Sequence, residues 1–122
     1  MNLLDYLNIQ IEEENKEQVI LTMIVEDCHK QPYGVLHGGI NGVLIETATS
    51  MAAMQNKPSE TDYVVGIDLQ VNHLKPVTSG SLRTIATPNH IGRTTQVWEA
   101  VVLDENEKKV AVGRCTLLNK KS

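Results

Sequence analysis

Residues 31–46, QPYGVLHGGINGVLIE, set Gln31, His37, the Gly38–Gly39 pair and Glu46 in an otherwise apolar run. If a helix begins here, both glycines fall in its first turn, where backbone N–H groups lack intrahelical acceptors. Glycine lets a ligand reach those donors, and the helix dipole favours negative charge there. Such a point can hold a carbonyl oxygen as it becomes an oxyanion. Glu46 lies about 12 Å further along the axis at 1.5 Å per residue. That is too far for Glu46 and Gly38 of one helix to touch the same reacting carbon. A second copy running antiparallel across a two-fold axis would bring them together, so the pattern points to a dimer with shared sites. Singly, each residue has a plainer explanation. HGG can be a glycine-rich entry to a helix, His37 a cap, Ser50 a small helix residue and Glu46 a solvated carboxylate.

The helix that must carry these groups is predicted over residues 37–56, HGGINGVLIETATSMAAMQN, ended by Asn56 and Pro58. Two faces are expected on it. Ile40, Val43, Leu44, Thr47, Met51 and Met54 follow the spacing of a packed face. Gly42, Glu46, Thr49, Ser50 and Ala53 form a small, polar face, where a buried carboxylate is costly without a partner or a task. Around the helix, a short helix is expected at 3–7 and a β-branched strand at 18–27. After Pro58 the period changes to two. Val65, Ile67, Leu69 and Val71 alternate with Gly66, Asp68, Gln70 and Asn72 in a strand over 63–74. Further strands are expected at 81–90, 93–104 and 108–119, joined by connections short enough for antiparallel neighbours. The plan is α+β, one long helix wrapped by an antiparallel sheet or by a sheet and a partner subunit.

The 122 residues are expected to form a single domain, 1–122, with a core of aliphatic side chains, since the chain has no Phe and one Trp. A net charge of −4 without a basic stripe argues against nucleic acid and against a membrane surface. The first residues lack a signal-peptide pattern, and no apolar run has membrane-spanning length. A reduced, cytoplasmic protein is expected, with Cys28 and Cys115 as ordinary packing thiols. No histidine–carboxylate set has zinc spacing, so no metal is expected. His29 and His90 read as loop residues without a role. No G-x-S-x-G supplies a serine nucleophile.

QPYGVLHGGINGVLIETATS, VVGIDLQVNHLKPVTSG and the segment ATPNHIGRTTQVWEAVVLDENEKKVAVGRCTL together resemble the hotdog-fold acyl-CoA thioesterases. The likeness is to the branch with phenylacetate-pathway, 4-hydroxybenzoyl-CoA and 1,4-dihydroxy-2-naphthoyl-CoA thioesterases. It runs from about residue 30 onward. It implies a helix wrapped by an antiparallel sheet, subunits paired edge to edge, and dimers pairing again into tetramers. It implies hydrolysis of a CoA thioester with no cofactor, coenzyme A being part of the substrate. Glu46 falls on the catalytic carboxylate, as nucleophile or general base. Gly38 falls on the glycine whose N–H polarises the carbonyl, Gln31 and His37 on the residues that hold the thioester and loop, and Ser50 on a residue that orients water. Gly39, His73, Lys75 and the turn of Gly92, Arg93 and Thr94 fall where the family handles pantetheine and nucleotide.

Two other readings compete. An acyl-CoA sensor without catalysis would be fused to a DNA-binding module, for which residues before 17 leave no room. A hotdog dehydratase needs a histidine acting with a carboxylate in a different loop-and-helix pattern, which is not found here. The acyl group is not legible, because Val, Leu and Met line an aromatic pocket as well as aromatic residues do.

Overall fold

The computed structural model describes residues 1–121. Helix α2 (Gly38–Met54) lies across a six-stranded antiparallel sheet of order β1-β2-β4-β5-β6-β3. The strands are β1 (Gln10–Glu14), β2 (Val19–Ile24), β3 (Tyr63–His73), β4 (Ser81–Ile91), β5 (Thr95–Leu103) and β6 (Lys109–Lys120). A short helix, α1 (Leu3–Tyr6), precedes them. The expected elements all form, within a few residues at their ends. Sequence reading missed β1, whose QIEEE sequence combines low strand propensity with exposure at all positions but the half-buried Glu13. No helix among the described residues is long and apolar enough to cross a membrane.

The face of α2 turned to the sheet is not the one expected. The buried residues are Asn41, Leu44, Ile45, Ala48, Thr49, Ala52 and Ala53, a stripe rotated by roughly a third of a turn. Ile40, Val43, Thr47 and Met51 are half-buried, and Met54 is exposed. Both stripes are apolar enough to bury, so periodicity alone did not choose between them. Alanines 48, 52 and 53 let the axis approach the sheet closely, with Trp98, Leu21, Leu82 and Leu117 filling the core around them. Buried Gln96 on β5 ties down the helix end. Its amide donates to Ala53 O at 3.1 Å, and its carbonyl accepts from Trp98 Nε1 at 2.8 Å.

His29 is not the idle loop residue expected. It is fully buried in a 3-10 turn over Asp27–His29. Its Nδ1 accepts the Glu26 N–H at 2.9 Å, which leaves Nε2–H to donate to Leu7 O at 2.7 Å. His29 O in turn accepts the His37 N–H at 2.9 Å. One buried imidazole residue therefore joins the end of α1 to the entry of α2. His90 lies on β4 and is exposed.

Candidate active site

His37 is the N-cap of α2, with extended backbone and Nδ1 accepting the Gly39 N–H at 2.7 Å. The cap needs Nδ1 unprotonated, which places a neutral ring's proton on Nε2. Gly39 has thereby spent its donor. The Gly38 N–H has no acceptor among the described residues, so it is the donor the helix start offers to a ligand. A Cβ on Gly38 would lie 3.0 Å from His73 Cε1 and 3.1 Å from its Nε2. A side chain here would press on the imidazole of β3 that leans over the helix start, and the ring would have to give by a few tenths of an ångström.

Asn41, one turn on, is 4% exposed, and its Nδ2 lies 3.2 Å from His73 Nδ1. Asn41 Oδ1 is buried without a partner, an orphan of the kind that gathers at functional sites. Leu36, Gly38, Asn41, His73, Lys75 and Val77 help to line a cavity of about 340 Å³. Asn41 was missed at the level of sequence. It belongs to neither of the two faces expected on the helix, and nothing local marks it as the partner of His73.

Glu46 lies two turns further along α2, beside Gly66 of β3. It is exposed, so the burial cost invoked for it does not arise in the single chain. Its Oε2 approaches within 2.8 Å of the point a Cβ on Gly66 would occupy. Cys115 Sγ lies 3.5 Å from the same point. Cys115 is buried, as expected, whereas Cys28 is exposed and not the packing thiol expected; burial pushes the Cys115 thiol up, with the Thr49 hydroxyl opposing the shift and the charges of Glu46 and Asp68 adding to it. Thr49 Oγ1 donates to Ile45 O at 2.8 Å beneath this patch. Ser50 is half-buried one turn past Glu46.

Gln31 is held by its own loop, its Oε1 accepting the Tyr33 N–H. Lys75, expected at the nucleotide end of the substrate, pairs its Nζ with Asp104 Oδ2 at 2.5 Å. The expected substrate contacts also divide into two groups. Gly38, His73 and Lys75 share the cavity at the N-terminal end of α2. Gly92, Arg93 and Thr94 form the β4–β5 turn, held by Asn119, which pairs with Val64 at the other end of β3. Val64 and His73 are separated by about 30 Å of strand at 3.3 Å per residue. One chain cannot apply both groups to one end of a substrate. Glu26, Cys28 and His29 cluster at metal-ligand range, but both His29 nitrogens are already engaged.

The thioesterase superfamily model matches residues 33–111, which span the helix entry and most of the sheet. The chain belongs to the thioesterase superfamily. The chain is 38% identical to a 1,4-dihydroxy-2-naphthoyl-CoA hydrolase of Listeria monocytogenes, over 99% of this chain and 98% of that protein. It is 33% identical to the Escherichia coli protein of the same name, over 94% and 84%. The crystal structure of a Haemophilus influenzae thioesterase is similar with a TM-score of 0.91 and 38% identity, covering 97% of this chain and 82% of that one. The hotdog architecture of these thioesterases is the one described above. An unspent N–H, as at Gly38, can stabilise an oxyanion, and an exposed carboxylate, as at Glu46, can act on water or on a carbonyl carbon.

Proposed function

We propose that this chain hydrolyses acyl-CoA thioesters, releasing the free acid and coenzyme A. The observation that carries the reading is one helix with an unspent N–H at its start and an exposed carboxylate two turns on, each beside a residue of β3. Gly38 N–H stabilises the oxygen of the tetrahedral species; one such donor is typically worth about 10²–10³ in rate. Glu46 acts in one of two ways: it takes a proton from attacking water, or it attacks the carbonyl carbon and is released by water. By either route the C–S bond breaks, the acyl carbon gains an oxygen of water, and the thiolate takes up a proton. Ser50 orients water, and Gln31 and His37 hold the loop and thioester. No cofactor enters the balance.

The helix rise still keeps Glu46 about 12 Å from its own Gly38. We therefore assign each site to two chains, paired antiparallel along their β3 edges. That pairing sets the Gly92–Thr94 turn of one copy beside the His73–Lys75 end of the other, which reunites the two groups of substrate contacts. The names of the relatives favour an aromatic acyl group. Release of free thiol from a panel of aromatic and aliphatic acyl-CoAs tests the reading. Glu46→Gln is expected to lower kcat by at least about 10²-fold with unchanged far-UV circular dichroism and mass. Near-native turnover in that variant would overturn it.

A further inference from the structure

We propose that Gly66 is a positioning residue for Glu46: the missing side chain at this point of β3 is the seat that aims the carboxylate. The inference rests on Glu46 being the reacting group. Glycine in a strand interior weakens the strand, so its presence needs a reason. Backbone conformation is not that reason, because Gly66 is not among the positive-φ residues of the chain. Space is the reason. A Cβ here would lie 2.8 Å from Glu46 Oε2 and 3.9 Å from its Cδ. The floor of the seat is the buried Cys115, whose thiol is pushed up by burial and stays neutral beneath the carboxylate.

Within one chain, no described residue pairs with the group. Among the described residues Glu46 has no ion pair and its carboxylate accepts no hydrogen bond. Its one close neighbour on β3 is the bare backbone of Gly66. The strand is irregular at this point. The register of β3 against β6 slips between Gly66 and Asp68, so one residue is left over opposite Leu117 and Thr116. Bulges of this kind bend a strand and re-aim its side chains. Here the bulge adjoins the bare backbone that faces the helix.

The test is Gly66→Ala, alone and combined with Glu46→Asp. A methyl at 66 forces the tip of Glu46 aside at little steric cost, because the tip is flexible. Displacement approaching 1 Å at a reacting group costs about 10²-fold, so kcat should fall by about 10- to 10²-fold with KM within about threefold. The melting temperature should not fall, since Ala in a strand is no worse than Gly. The shorter Asp does not reach the methyl. Relative to Glu46→Asp alone, the double variant should lose less than about threefold, a non-additivity that a merely structural glycine does not give. A crystal structure of Gly66→Ala should show the carboxylate displaced from its seat. An unmoved carboxylate, or equal losses in the Glu46 and Glu46→Asp backgrounds, overturns the proposal. If the unaltered protein turns over no thioester, the functional reading fails on its own, and the crystal structure still decides whether Gly66 seats the side chain.

Discussion

The two edges of the sheet are built to opposite rules. Strand β1 is five residues long, carries Glu12, Glu13 and Glu14, and is broken by an irregularity between Ile11 and Glu13. Short length, charge and a bulge are the features that keep an edge from pairing with another chain. Strand β3 is eleven residues long and exposes Tyr63, Val65 and Ile67, the last at 56%. A long edge with exposed apolar side chains is a template for pairing. The groups proposed for chemistry sit beside β3 and none sits beside β1. The contrast fits the proposed pairing, in which the open edge and the site belong together and a second chain completes what the first cannot reach.

The largest expected effect comes from giving β3 the character of β1. Ile67→Lys should yield a species with the mass of one chain by light scattering and lose at least about 10²-fold in turnover, while circular dichroism keeps the strand and helix signals. Full activity at single-chain mass would remove the two-chain site. A smaller effect is expected where β3 ends. Asp104 is held below the usual carboxylate range by the Lys75 ammonium and by the N–H groups of Lys108 and Asn106. A depressed carboxylate stabilises the fold above its unfolded pKa of about 3.9, and that contribution is lost as pH falls through the folded value. Asp104→Asn keeps an acceptor for the turn but removes the charge. Urea unfolding should show it less stable than the parent at pH 7, with the gap closing below about pH 4. A gap independent of pH would mean that the Lys75 pair does not anchor this strand. The smallest effect belongs to β1. The Arg83–Glu12 pair at 2.6 Å is exposed on both sides, and such pairs contribute little. Glu12→Gln should leave mass and turnover unchanged and move Tm by no more than a few degrees, a difference read by calorimetry.

Much of this was legible before any coordinates. Gly38 and Gly39 before an Ala- and Met-rich run marked the start of α2, and the two-residue period marked β3. Asn41 and Gly66 were not legible as parts of the site. Neither has a local signal, because the reason for each is a side chain on a different element. His29 passed for a loop residue because its burial comes from α1 folding over it. The Lys75–Asp104 pair was not legible because Asp104 lies in a turn between later strands.

Helix start and end, strand periods and the spacing between Gly38 and Glu46 follow from sequence alone, because backbone preferences and helical rise act between near neighbours. The rise already demanded a second chain for any carbon that both residues touch. Folding in three dimensions decided which face of α2 meets the sheet, which edge was left open, and where the Glu46 carboxylate rests. Those outcomes depend on volume and charge brought together from distant positions: the alanines of α2 against Trp98, the imidazole of His73 over Gly38, and the absent side chain of Gly66 beside Glu46.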